Sequence, residues 1–326
     1  MQGKFFSALV RWFDNDVGDI EHETDIDRVD WVRTIPFILM HLGCLGVFFV
    51  GFSWAAFWIA VGLYVIRMFA ITAFYHRYFS HRAFKTSRPV QFLFGLIGAC
   101  SVQRSPIWWA AHHRNHHAHS DAEGDTHSPL LQGFLWSHMV WFLTKQNFKT
   151  RDHLVRDWLR YPELRFLDRF DSLVPLLFGA SLYGLGAYLE SARPEWGTNG
   201  LQILFWGFYL STVVLYHATF CVNSLAHVWG KRRYATEDGS RNNLWIALIT
   251  LGEGWHNNHH HYPGSVRQGF FWWEIDVTYY VLKLMALLGL VWDLRPLPER
   301  WKSANRIDQR RPPPYSGKLE VQEESR

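Results

Sequence analysis

The chain has 326 residues and a formal charge of +4, and aromatic side chains make up 17% of it, with 18 Trp and 25 Phe. The apolar residues come in long blocks although the mean hydropathy is close to zero, which excludes an ordinary soluble globule and points to a protein partly in lipid and partly in water. The small basic excess is not gathered into a stripe and no groove-reading motif accompanies it, so nucleic acid is excluded as a partner.

From Met1 to Phe13 the apolar residues Phe5, Phe6, Leu9, Val10 and Trp12 alternate with Lys4 and Arg11. This is too short and too interrupted for a signal peptide, and it predicts an interfacial helix within a cytosolic segment 1–33. Asp14 to Asp30 is acidic and reads as solvated. Two apolar blocks follow, 34–52 and 54–75, each long enough to cross a bilayer and so close together that they form a hairpin. A second hairpin repeats the plan with 172–189 and 201–222, joined through Arg193 and Pro194.

Each hairpin returns the chain to its starting side. The connection at 51–53 has no Lys or Arg and the second has Arg193 alone, whereas 76–171 and 223–326 are rich in both. The positive-inside rule therefore makes the shared side cytoplasmic, with both termini on it. The predicted fold is an all-α integral membrane protein with four transmembrane helices in two hairpins. A cytosolic helical cap, 76–171 and 223–300, completes a domain spanning 34–300.

Pro89 to Val102 is too short to span and reads as a buried or half-immersed helix. Val277 to Trp292 is also short, carries Lys283 and reads as interfacial. The tail 301–326, with Pro312, Pro313 and Pro314, reads as disordered. Cys44, Cys100 and Cys221 sit in apolar surroundings without metal-type spacing, as small buried residues do in a reducing compartment. Within the spans, His41 and His217 suggest function or pairing, and Arg67 reads as snorkelling to the cytoplasmic interface.

The chemistry lies in the histidines. The spacing H-x-x-H-H occurs at His113, His116 and His117 and again at His256, His259 and His260. Scattered at random, 18 His would give one such copy roughly one time in twenty and two on the order of once in a thousand. On a helix these offsets place three imidazoles on one face, so each triplet can serve one small volume. Neutral imidazole suits iron, zinc, copper or nickel.

Two further elements lie beside membrane spans. His76 and His81 are five apart, about 140° on an ideal helix, so they serve one ion only if the helix ends there, and otherwise two. Asn223 and His227 are four apart and share a face, although Asn223 also reads as a helix-end cap. Nine His and one Asn exceed one tetrahedral site and suit two ions with open positions. His112, His119, His127 and His261 flank the triplets and read as outer donors or solvated residues.

H-x4-H at His76/His81, the two H-x-x-H-H triplets and N-x3-H at Asn223/His227 resemble the histidine boxes of membrane fatty-acyl desaturases of the stearoyl-CoA type. The text Asn223-Ser224-Leu225-Ala226-His227, Gly252-Glu253-Gly254-Trp255-His256-Asn257 and Gly289-Leu290-Val291-Trp292-Asp293-Leu294 is similar as well. The similarity covers about residues 25–295. It implies two ferrous ions in a cytosolic cap, O2 as co-substrate and a cis double bond, most often at carbon 9 of a saturated C16–C18 chain.

The ligands it implies are His76, His81, His113, His116, His117, Asn223, His227, His256, His259 and His260, with Asn223 acting through a water. Trp109 and Lys145 are the implied substrate contacts, and the aromatic stretches Phe92–Trp109 and Trp255–Trp273 supply candidates for an acyl slot. Animal acyl-CoA enzymes carry an Arg-Asp pair where Ala111 and His112 stand here, and a second basic pair is represented by Thr144 and Lys145. The head group is thus open among CoA, a carrier protein and an intact membrane lipid.

With no cytochrome b5-like region and no CxxC motif in the sequence, electrons are expected from a separate cytochrome b5, ferredoxin or similar carrier with its reductase. Two rival readings remain: a hydroxylase of the same histidine-box class acting on alkyl chains, and a membrane metal transporter or metallochaperone. A transporter should place its ligands midway through the spans, whereas these collect at the ends.

Overall fold

A computed structural model describes residues 10–17 and 28–307. The first two helices, α1 (Trp31–Val50) and α2 (Trp54–Ser80), form a hairpin turned at Gly51, whose φ of +74° suits glycine. Two cap helices follow, α3 (Arg88–Ala99) and α4 (Pro106–His119). The second hairpin is α5 (Leu173–Ala192) and α6 (Gly200–Val228). Three shorter helices come next: α7 (Leu244–Ile249), α8 (His256–His261) and α9 (Val277–Leu287). Among the described residues, α1, α2, α5 and α6 are long and apolar enough to cross a membrane.

Helix α1 begins three residues earlier than its apolar block. Asp30 caps it by accepting the amide of Arg33, and its carboxylate also pairs with Arg11 at 2.6 Å. Asp30 is buried, which corrects the reading of 14–30 as uniformly solvated: a cap and an ion pair repay its desolvation. Of the N-terminal interfacial helix, residues 1–9 lie outside the described residues, and Val10 to Phe13 form a turn.

Close approach organises the spans. A Cβ on Gly43 or Gly46 would lie 2.1 Å from the ring of Tyr209 or Phe205, so α1 rests its glycine face directly on α6. Arg67 does not snorkel. It is buried, and its guanidinium donates to Thr212 Oγ1 at 2.6 Å, Ser211 Oγ at 2.7 Å and the Cys100 carbonyl at 3.1 Å. Helix α6 and the end of α3 thus bring acceptors to the charge, joining both elements to α2. His41 and His217 are paired, 3.2 Å apart, and His217 continues to His138 at 3.0 Å.

The lower part of α2, Ala70–Ser80, is wound as a π-helix, and the amide of His81 bonds to the carbonyl of His76 at 3.2 Å. A five-residue repeat brings positions five apart back to one face, where an α-helix would separate them. Beyond it, β1 (Lys85–Thr86) pairs antiparallel with β2 (Val291–Trp292). Arg77 is held between Glu253 at 2.9 Å and Asp276 at 3.0 Å, so α2 is locked to the segments before and after α8.

Around the spans the cap turns apolar residues outward. Helix α9 exposes Tyr280, Leu284 and Leu287, and α7 exposes Trp245, Leu248 and Ile249, as interfacial helices do. Residues Glu299–Ser303 are helical, and Trp301 packs on Tyr262 and His261. Residues on both sides of the boundary read at 301 thus pack on the cap. Residues 308–326 of the tail lie outside the described residues.

Candidate metal centre

Helix α4 starts cleanly, with Ser105 accepting the amide of Trp108 and Pro106 at its first position. It carries His113, His116 and His117 inward against α2. Positions i and i+4 lie about 40° apart on a helix while i+3 falls some 60° to the other side. That difference divides the triplet: His113 and His117 join His76, His81 and His259, while His116 joins His227, His256 and His260. In α8 the same rule holds, with His256 and His260 together and His259 across. Within each group the candidate ligand atoms lie within 4.8 Å of one another.

The reading that each triplet serves one small volume is thus corrected, because each triplet contributes to both groups. His76 and His81 enter the same group, which the π-winding of α2 and the helix end at His81 permit. The nine histidines of the sequence pattern all fall in these two groups. Asn223 ends the main part of α6 and is among the residues that line a cavity reaching His113.

The donor set fits metal ions. Nε2 atoms face one another at 2.8 Å between His81 and His113, 2.9 Å between His117 and His259, 3.1 Å between His76 and His259, and 3.0 Å between His227 and His256. Meanwhile Nδ1–H of His76 donates to Glu253 at 2.5 Å, His116 to Asp125 at 3.0 Å, His227 to Asp121 at 2.7 Å and His260 to Asp238 at 2.5 Å. A neutral ring whose Nδ1–H is so engaged keeps its lone pair on Nε2. The lone pairs of His76, His116, His227 and His260 are therefore left on the Nε2 atoms that face the other rings, where a cation would be bound. His260 Nε2 is buried without a hydrogen-bond partner. Each group could hold one ion.

Electrostatics agrees. Burial, reinforced by neighbouring imidazoles, holds His81, His113, His117, His256 and His259 well below the usual imidazole range, so they stay neutral. Burial pushes the Glu253 carboxyl up, but His76 and Arg77 outweigh it and leave it at about 2. Asp121 is likewise desolvated, yet its bond to His227 brings it to about 2.

The other histidines fall outside the two groups. His112 meets the Lys149 carbonyl, His119 meets the Asn115 carbonyl, and His261 stacks on Tyr234 at 3.9 Å. His127 stacks on His116 at 4.3 Å and forms a smaller trio with it and Asp125. Sequence reasoning missed the carboxylates Asp121, Asp125, Asp238 and Glu253. The available signals were local: Glu253 sits between two glycines just before Trp255-His256, and Asp121 and Asp125 follow the first triplet in a polar turn.

A cavity of about 410 Å³ leads to the centre. It runs from Arg11, Phe13 and Arg33, between Phe37 and Met40 of α1 and Phe208, Tyr216 and Phe220 of α6, to Trp109, His113 and Asn223. Trp109 stacks on His113 with centroids 4.9 Å apart, forming part of the inner wall. Lys145 lies on the turn Lys145–Asn147, outside the lining residues. Of the aromatic stretches expected to form a slot, only Val102–Trp109 contributes. The rest of the wall comes from α1, α5 and α6, the N-terminal turn and residues such as Trp141 and Phe148 of the cap; Phe92 is exposed on α3, and Trp255 lines a different cavity.

Residues 52–283 match the fatty acid desaturase family. The chain is 38% identical over 270 residues to the sn-2 palmitoyl-lipid 9-desaturase of Nostoc sp. (strain 36), covering 81% of this chain and 89% of that one. It is 38% identical over 277 residues to the chloroplastic palmitoyl-monogalactosyldiacylglycerol delta-7 desaturase of Arabidopsis thaliana, covering 84% and 71%. Similarity to an acyl-CoA 5-desaturase of Anemone leveillei is 36% over 290 residues, covering 85% and 86%.

Proposed function

The chain belongs to the fatty acid desaturase family, and from that premise we propose that it inserts a cis double bond at carbon 9 of a saturated C16–C18 acyl chain held on a bilayer lipid. The observation that carries this reading is an apolar cavity that ends on His113 of one histidine group and Asn223 beside the other. An unactivated methylene has no acidic proton and no polar handle, so acid–base or nucleophilic groups cannot open its C–H bond. Redox metal ions are required, and two irons held by the nine histidines, with Asn223 as a tenth contributor, would supply the activation of O2.

The balance is –CH2–CH2– + O2 + 2 e⁻ + 2 H⁺ → –CH=CH– + 2 H2O. The two electrons come from a separate carrier, a cytochrome b5, a ferredoxin or a similar protein with its reductase. The protein's own residues position and shield. Trp109 and the rings of α1 and α6 hold the chain extended so that one pair of methylenes meets the centre. Glu253, Asp125, Asp121 and Asp238 fix the imidazole tautomers and orientations. Burial of His76, His116, His227, His256 and His259 limits the access of bulk water to the centre. By the charge of the connecting segments the centre faces the cytoplasm.

Two observations favour a lipid over acyl-CoA as the carrier of the chain. Leu39 of α1 and Leu176 of α5, both on helices long enough to cross a membrane, line the cavity and are each more than half exposed, as the walls of a slot open sideways to the bilayer would be. At its polar end Arg11 is paired with Asp30 and Arg104 with Asp171, both at 2.6 Å, while Arg33 also approaches Asp30 at 3.8 Å. Cations already matched by carboxylates offer little to the phosphates of CoA.

The test is to express the protein with a compatible electron donor in an aerated host lacking its own desaturase, and to locate double bonds by lipid class with mass spectrometry. A new monounsaturated acid, appearing first in glycerolipids, is expected. Hydroxylated chains would move the assignment to the rival hydroxylase. Product confined to the acyl-CoA pool would refute the lipid carrier.

A further inference from the structure

A second cavity, of about 780 Å³, shares no lining residue with the acyl slot. Its lining carries four cations, Lys231, Arg232, Arg233 and Arg306, and no carboxylate. Arg233 is satisfied from behind by Glu274, and Arg232 donates to the Thr236 carbonyl. No described carboxylate pairs with Lys231, Arg232 or Arg306. Gathering like charges in one concavity raises their mutual repulsion unless an anion occupies it.

The rim identifies the surroundings of that anion. Trp229 is 51% exposed and Trp245 66%, and beside Trp245 the α7 residues Leu248 and Ile249 are exposed as well. The hydroxyl of Tyr64, inside the membrane-crossing helix α2, donates to the carbonyl of Ile249. Helix α7 therefore lies against a span with its apolar side outward, and the cavity has Trp and aliphatic residues toward the lipid and cations toward the head groups. Basic pockets of this kind at the edge of a membrane domain take anionic phospholipid head groups.

We propose that this cavity binds the phosphate of an anionic bilayer phospholipid, whose acyl chains lie along α7. The floor gives binding a consequence. Trp255, which lines the cavity, is bonded to His256, and the side chain of Asn242 exchanges hydrogen bonds with Asn258 at 2.8 and 3.1 Å. The Arg233 amide donates to Asn257 Oδ1 at 2.7 Å. Both asparagines belong to α8, so an occupied cavity braces the helix that carries three ligands of the centre.

The experiment uses the full chain purified in detergent, offered equimolar phosphatidylglycerol and phosphatidylcholine and read by native mass spectrometry. Retention of phosphatidylglycerol in at least tenfold preference is expected, since each Lys or Arg at a membrane surface contributes roughly fivefold. Lys231→Gln and Arg306→Gln should each cost about fivefold. The triple variant with Arg232→Gln should show no preference while its melting temperature in phosphatidylcholine is unchanged. Trp245→Ser should weaken retention of both lipids.

Three results would overturn the proposal. One is a preference that survives the triple variant. Another is displacement of the lipid by inorganic phosphate with Trp245→Ser silent, which would mark a soluble phosphate ligand. The third is lipid retention unchanged in the triple variant while reduction by an acidic ferredoxin is lost, which would make the surface a protein dock.

Discussion

The two histidine groups are built from the same helices yet supported differently. In the first, only His76 of the five leans on a carboxylate, Glu253, and that carboxylate is shared with Arg77. In the second, three of four do: His116 on Asp125, His227 on Asp121 and His260 on Asp238. A carboxylate behind an imidazole raises its basicity and fixes its direction. The first group therefore relies on number and on the rigid winding of α2, and the second on outer support. If each group holds an ion, as proposed, the two would be held by different physical means, and each should fail in its own way.

The largest effect should come from the residue that faces two partners at once. His259 meets both His76 and His117 through Nε2, at 3.1 and 2.9 Å. His259→Ala should abolish desaturation, by at least about a thousandfold, if centres whose parts act together lose nearly everything on losing one. Bound iron should fall towards one per chain, measured by metal analysis, while the protein still inserts in membranes. Full activity in this variant would dismantle the two-group assignment.

A smaller and more selective effect separates the supports. Asp238→Asn should weaken the second ion about 10- to 100-fold, the usual cost of losing an outer carboxylate, and leave the first in place. Glu253→Gln should behave differently. It removes one of the two carboxylates around the buried Arg77, so the expected loss is about 3 kcal/mol or more of stability as well as weaker metal binding. Mössbauer spectra of iron-57-loaded variants with parallel thermal melts check both. Equal losses of metal and stability in the two variants would erase the distinction.

Much of this was legible in the sequence, for definable reasons. The four spans follow from apolar length, the six histidines of the two triplets from spacing that chance does not supply, and His76, His81 and His227 from their place beside the spans and the resemblance. Their division between two groups was not legible, because an ideal-helix reading put each triplet on one volume, whereas His116 and His259 cross over. The pairing of His76 with His81 depends on the π-winding of Ala70–Ser80, which no residue in that stretch announces. Asp121, Asp125 and Asp238 escaped because each comes from a different loop than the ring it supports or sits in a turn without a motif. Arg67 escaped because its acceptors, Ser211, Thr212 and the Cys100 carbonyl, are distant in sequence.

The finest test of the comparison is pH. An imidazole must be free of its proton to bind metal, so protons and metal compete. In the first group His81, His113, His117 and His259 lie well below the usual imidazole value, so protons compete poorly for those four rings. In the second group His116 differs: burial opposes its protonation, but the charge and hydrogen bond of Asp125 outweigh burial and raise it above the usual imidazole value. Protons therefore compete for His116 at higher pH than for those four rings, and the sign is loss of the second ion as pH falls. The same carboxylate that strengthens metal binding in base should make the site yield earlier in acid.

On lowering the pH from about 8 to about 5, the range in which imidazole titrates, iron-57 spectra should show the second ion leaving before the first. Asp125→Asn removes the acceptor that raises His116, so it should weaken the second ion at pH 8 yet shift its release to lower pH. Simultaneous release of both ions in the wild type, or an unmoved midpoint in Asp125→Asn, would mean that outer support does not distinguish the groups, and that the difference in carboxylates governs orientation alone.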